Sequence, residues 1–320
     1  VALKYIKNVT MDMKMMALQY HHDANKYVGE MSYAMELHFM EHQGVQLLKI
    51  KDPTDELKIA AIKSYPYILR EIQNPTPEME LAAIVGSAGM IEHVKNPTYE
   101  MKLIAVSGSG RTLKYIKGQT EQLQMIAVDD DGHVLEYAIK PSPEVQLAAI
   151  KNRPYAIRHV RNPTDEMWIW ALSSLGSLYR QVPQPTLRMA MAALKSDGSV
   201  IRYMSSPTDE MKLLAVTTSG DAIEHISFPT DEMKFAAIKS SRYSYQYIKN
   251  PTPEMTLLAL SRNGAHIRSI KDPTDEMKLI ALKQDPTLIK DIQNPTYEML
   301  KESLIRNPNN HRHFKKSWFK

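Results

Sequence analysis

Hydrophobic and polar positions recur along this chain every 22 residues. The count runs from a hydroxyl residue that keeps its place in each period: Thr10, Ser32, Thr54, Thr76, Thr98, Thr120, Ser142, Thr164, Thr186, Thr208, Thr230, Thr252, Thr274 and Thr296. Numbering each period from that hydroxyl as position 0, Met or Leu usually stands at position 3, Ala at position 7 and an aliphatic residue at position 8, with positions 5 and 6 mostly apolar. This pattern predicts a helix of roughly ten residues, apolar almost all round and therefore buried. Glycine or proline at position 12 breaks it, as at Gly44, Gly110, Gly198, Pro66, Pro154 and Pro286. Apolar residues at positions 15 and 18, such as Leu113 and Ile116, predict a second, shorter helix of about six or seven residues.

The hydroxyl sits where an N-cap belongs and can accept a bond from a first-turn amide. Pro77, Pro143 and Pro253 follow it directly, at the first helical position that proline favours. Glu56, Glu100 and Glu210 occupy the second helical position and suit the positive end of the helix dipole. The proline before most of the hydroxyls disfavours helical geometry at the residue preceding it and ends the previous repeat. Alanine at position 7, replaced only by Phe39 and Ser303, marks a close helix approach. An unbroken period of this length means a solenoid, each repeat burying its apolar face against its neighbours. The expected fold is all-α: an α-solenoid of about fourteen 22-residue helix–turn–helix repeats.

Residues 1–305 read as one continuous array and residues 306–320 as a basic, aromatic C-terminal tail or cap, because Asn307-Pro308 arrives early and truncates the last repeat. Leu3-Lys4-Tyr5-Ile6-Lys7 matches Leu113-Lys114-Tyr115-Ile116-Lys117, the second half of a repeat. The sequence therefore begins mid-repeat, and a longer parent chain is expected.

Composition narrows the function. The chain has 320 residues, no cysteine and a formal net charge of +4. Disulfides and thiolate metal sites are excluded, no apolar run reaches the ~20 residues of a membrane span, and a reducing, cytoplasmic setting is expected. Arg306, Arg312, Lys315, Lys316 and Lys320 carry five positive charges with no acid among them, so removing them from +4 leaves −1 for the body. A near-neutral body is not the footprint of a general nucleic-acid binder.

Thr98 to Lys117 reads Thr-Tyr-Glu-Met-Lys-Leu-Ile-Ala-Val-Ser-Gly-Ser-Gly-Arg-Thr-Leu-Lys-Tyr-Ile-Lys. It resembles a family of short helical-hairpin repeats in bacteria, tailed phages and giant viruses, and the likeness covers nearly the whole chain. At the level of architecture it also resembles leucine-rich-variant and HEAT-like solenoids. The resemblance implies a helical-repeat fold and a phage or viral source, in the host cytoplasm or the virus particle, and supplies no catalytic residues.

Candidate chemistry lies at positions the framework leaves free. Rings recur at position 17 (Tyr27, His93, Tyr115, Tyr137, His159, Tyr203, His225, Tyr247) and bases at position 16 (Lys114, Arg158, Arg202 among them). Interleaved rings and bases can stack nucleobases and neutralise phosphates. Equally, the rings can cover the short helix while the bases stay solvated at its C-terminal end. Glu92, Glu136 and Glu224 interrupt the basic row. In the tail, Phe314, Lys315, Lys316 and Trp318 are candidate contacts. Of Trp168 and Trp170, one is expected to pack and the other to stand as an exposed anchor.

Asp129-Asp130-Asp131, His21-His22-Asp23 and His311-Arg312-His313 lack the spacing of a metal site, and no phosphate loop, nucleophile elbow or His-Glu-x-x-His run occurs. The expectation is no enzyme, no metal site and no cofactor. The function read from the chain is a protein-interaction scaffold with a protein partner, which the resemblance places in a phage or viral assembly; the alternative is a single-stranded nucleic-acid binder using the ridge.

Overall fold

A computed structural model describes residues 2–6 and 8–314. Among these residues the chain is helical throughout, with no strand. Each repeat opens with an α-helix of ten residues, from α1 (Met11–Tyr20) and α2 (Tyr33–His42) to the last, Tyr297–Arg306. The hydroxyl caps them as expected. Thr54, Thr98 and Thr208, for example, accept from the amide of position 3 at 3.2–3.4 Å. Ser32 is the exception and makes no side-chain cap bond.

The second element is a 3₁₀-helix, typically of six residues, as in Gly110–Tyr115 and Gly198–Tyr203. Six residues are too few for an α-helix, which strands four amides at its start and four carbonyls at its end. A 3₁₀ turn closes after three residues. It therefore puts positions 15 and 18 one turn apart on the buried side, and Ile116 N–H donates to Leu113 O at 3.1 Å.

The residue before the repeat-ending proline does more than terminate a helix. Asp52, Asn74, Lys140, Phe228, Asn250, Asp272 and Asn294 all have φ between 49° and 55°. This left-handed region tolerates Asn, Asp and Gly best, which explains the composition of position 20.

The chain divides into two compact bodies, Val1–Asn162 and Pro163–Lys320. In the N-terminal body the spine is Leu18, Phe39, Met40, Ala61, Ile62, Ala83, Ile84, Ala105, Val106, Ala127, Val128, Ala149 and Ile150, nearly all fully buried. In the C-terminal body it is Ala171, Leu172, Ala193, Leu194, Ala215, Val216, Ala237, Ile238, Ala259, Leu260, Ala281 and Leu282.

The close approach marked by position 7 is that of a turn onto a helix. A Cβ on Gly44 would lie 2.2 Å from the Ala61 carbonyl oxygen, and one on Gly198 would lie 2.1 Å from that of Ala215. The turn glycine of one repeat thus rests on the alanine backbone of the next. Its amide also donates to a side chain near the end of that next helix, at position 10 for Gly110 to Asp130 at 2.8 Å, Gly132 to Asn152 at 2.9 Å and Gly264 to Gln284 at 3.0 Å, and at position 11 for Gly198 to Ser219 at 3.2 Å. Where the turn residue is Pro66 there is no amide to satisfy, and position 10 of the next repeat is Gly86, whose Cβ would meet Pro66 Cγ at 2.4 Å.

The last repeat corrects the expected boundary. Pro308 occupies the turn, as Pro66 and Pro286 do, and Pro308–His313 forms a full 3₁₀-helix. The early Asn307-Pro308 is therefore a turn proline and not a truncation. The terminal repeat carries a buried polar pair. Ser303 replaces the alanine, and buried Asn310 donates to Ser303 Oγ at 2.8 Å and to Pro286 O at 2.7 Å. Every hydrogen of that amide nitrogen has an acceptor, which suits a terminal repeat.

Candidate interaction ridge

Each predicted ridge residue sits at the C-terminal end of a 3₁₀-helix, which places it at the edge where the repeat turns. In the N-terminal body Lys114, Tyr137, Arg158 and His159 are exposed and Tyr115 is half-buried. In the C-terminal body Arg202, Tyr203 and His225 are exposed and Tyr247 is half-buried. The rings and bases do meet within each body. Lys114 Nζ lies 4.5 Å from the centroid of Tyr115, and hydrogen bonding to that tyrosine raises the lysine pKa. Tyr203 lies between two guanidinium groups, Arg180 at 5.1 Å and Arg202 at 5.9 Å. Arg158 differs: its guanidinium covers Tyr155, at 4.6 Å, and not a position-17 ring.

A register rule emerges that hydropathy does not contain. In three repeats the base at position 16 reaches position 17 of the next repeat. Arg70 Nε donates to His93 Nε2 at 2.8 Å, Arg268 Nε to Asp291 Oδ2 at 2.9 Å, and Arg180 covers Tyr203. These cations therefore tie adjacent repeats together. Between them lie shallow clefts. One of about 720 Å³ is lined by Arg70, His93, Lys95, Pro75, Pro77 and Glu80, and burial there raises the pKa of Glu80. A second is lined by Arg202, Met204, Pro207, Lys212, His225 and Phe228.

The other singled-out groups resolve individually. Trp168 is buried and Trp170 is exposed, as expected of the pair. Phe314 is half-buried and packs against the final core cluster of Leu282, Leu288, Ile289 and Met299. Lys315, Lys316 and Trp318 lie outside the described residues. The acidic turn is absorbed by structure. Asp130 accepts from Gly110, and Asp131 accepts from the His133 amide at 3.1 Å and faces Arg111 and Arg153. Burial raises the Asp131 pKa, but that amide, His133 and the two arginines outweigh it and leave the carboxyl below its usual range. His22 meets Asp23 at 3.2 Å, and Asp23 is held by Lys26 at 2.8 Å.

One group carries the reverse of the His-Glu-x-x-His order. His38-Phe39-Met40-Glu41-His42 closes α2. One nitrogen of each imidazole and one Glu41 oxygen lie within 4.8 Å of one another. The signal available in sequence was the i, i+3, i+4 spacing on a predicted helix.

Among the described residues no helix is long and apolar enough to cross a membrane. No family model, curated protein or solved structure matches the chain.

Proposed function

We propose that this chain is a non-enzymatic scaffold that binds a protein partner, with Phe228 as an anchor on its C-terminal body. The observation that carries this reading is the state of Phe228. It is 97% exposed. It also holds φ 55°, a left-handed geometry that other repeats give at this position to Asn, Asp, Gly or Lys. A left-handed conformation costs a residue with a Cβ roughly 1–2 kcal/mol, and no burial in the chain offsets it. Folding therefore gives no reason for phenylalanine here. Buried aromatic anchors dominate the energetics of protein interfaces, and Met204 and Pro207 in the adjoining cleft supply further apolar contact.

The exposed rings of Tyr137 and Tyr203 beside Lys114 and Arg202 favour the second reading, a single nucleic-acid strand stacked along the ridge. Against it, Arg70, Arg180 and Arg268 already have partners in neighbouring repeats, and the body carries little net charge.

Affinity capture from the source cells, with protein and nucleic acid both analysed, separates the two. The expected result is a protein retained after nuclease treatment and lost with Phe228→Asn, whose circular dichroism matches the parent. A catch that nuclease removes, or one that Phe228→Asn leaves intact, overturns the anchor.

A further inference from the structure

We propose that His38, Glu41 and His42 form a binding site for a divalent transition metal of the zinc type, on the last turn and a half of α2. Histidines four residues apart on a helix face the same side, one turn apart, and that pair is a metal chelate on helices generally. Glu41 supplies a carboxylate between them, and two imidazoles with one carboxylate make a ligand set that suits zinc.

The hydrogen bonds prepare both rings for that role. A carbonyl oxygen only accepts, so each ring nitrogen bonded to one must carry the proton. His38 Nε2 donates to Met15 O of α1 at 3.2 Å, which leaves the lone pair on Nδ1, 3.9 Å from Glu41 Oε2. His42 Nδ1 donates to His38 O at 2.9 Å, which leaves the lone pair on Nε2. A metal-bound histidine almost always donates its other nitrogen to a carbonyl or carboxylate, and this outer bond orients the ring. Here both outer bonds are present, and the ring centroids stand 4.5 Å apart. Ligand atoms around zinc at about 2.0–2.2 Å from the ion must come closer than 4.8 Å to one another. Glu41 is 54% exposed and can swing in without disturbing the core.

The other repeats act as an internal control. Positions 6, 9 and 10 hold Ala60, Lys63 and Ser64 in the next repeat, Ala148, Lys151 and Asn152 further along, and Ala236, Lys239 and Ser240 in the C-terminal body. Where glycine forms the preceding turn, position 10 can serve its amide, as Ser64 and Asn152 do. His42 instead bonds its own helix. The repeat places three metal-ligating side chains on one solvent-facing patch. With three protein ligands, the ion keeps coordination positions open to water.

Calorimetric titration of zinc chloride into the chelator-treated chain tests this. The expected result is one zinc ion per chain, released by EDTA. H38A and H42A should each weaken binding on the order of 100-fold or more, beyond the ~10–100-fold typical of outer-shell changes, and E41Q on the order of tenfold. H22A and H311A should leave it unchanged. Cobalt(II) gives a second readout: its visible absorption should appear on the parent chain and vanish in H42A, whose exposed position lets the helical spectrum persist. Absence of saturable zinc binding overturns the site. So does binding that survives H42A, or binding lost instead in H22A or H311A.

Discussion

At the residue scale, glycine at position 12 is explained by the space it leaves and not by its turn. Gly198 has no positive φ, yet a Cβ there would lie 2.1 Å from Ala215 O. Gly198→Ala should therefore destabilise by about 1–3 kcal/mol through overpacking. Gly89 has nothing within 4 Å of its Cβ position. Gly89→Ala should be neutral or stabilising by up to ~1 kcal/mol, because it restricts the unfolded chain. Denaturant melts of the two variants check the contrast, and equal effects would remove the close-approach explanation. Glu80 makes a pH-dependent prediction. Burial raises its pKa in the folded state, so ionisation disfavours folding. The stability it permits is present in acid, below the ordinary glutamate range, and declines as pH rises through the folded pKa. Glu80→Gln should melt higher than the parent at neutral pH and level with it in acid. A parent that melts higher at neutral pH contradicts the sign.

At the element scale, each α-helix depends on its cap to a degree that the structure distinguishes. Thr208 accepts from the Met211 amide at 3.3 Å, whereas Ser32 makes no such bond. Thr208→Ala should cost about 1 kcal/mol, and Ser32→Ala much less, in the same melts. A comparable loss at both sites would mean the hydroxyl acts through something other than the cap. The 3₁₀-helices are too short to be stable by themselves. They are held by the buried pairs at positions 14 and 15, such as Val200 and Ile201, and, where glycine forms the turn, by the amide it lends to the next repeat, as at Gly110, Gly132 and Gly264. Their C-terminal ends carry the exposed rings, so the least self-sufficient element presents the candidate surface.

At the scale of the whole molecule, charge argues against a nucleic-acid track. Phosphate neutralisation supplies most of non-specific affinity and falls steeply with salt. The ridge offers arginines already engaged by His93, Asp291 and Tyr203, interrupted by Glu136 and Glu224. Fluorescence anisotropy with a generic labelled RNA or DNA strand should show no appreciable binding at physiological salt. Sub-micromolar, salt-sensitive affinity, abolished by changing Lys114, Arg158 and Arg202 to Glu, would replace the scaffold reading with the strand-binding one.

The period, the capping hydroxyl, the buried first helix and the breaking turn were determined by the sequence alone. Each is a local preference reinforced at every repeat, and together they identify a helical solenoid without reference to any contact. The choice of 3₁₀ over α geometry was not legible, because hydropathy at positions 15 and 18 fits either helix. Tertiary structure decided it, along with the pairing of Gly44 with Ala61 and Ser64, the complement of Pro66 by Gly86, and the reach of Arg70 to His93. All of these join residues 17 to 23 positions apart, across the interface between neighbouring repeats. Such contacts select side chains by shape and hydrogen-bond geometry, to which a pattern of apolar and polar positions is blind. The same reason hid the histidines of α2: their spacing stands in the sequence, but only the folded chain shows Met15 and His38 carbonyls fixing which nitrogen of each ring is free.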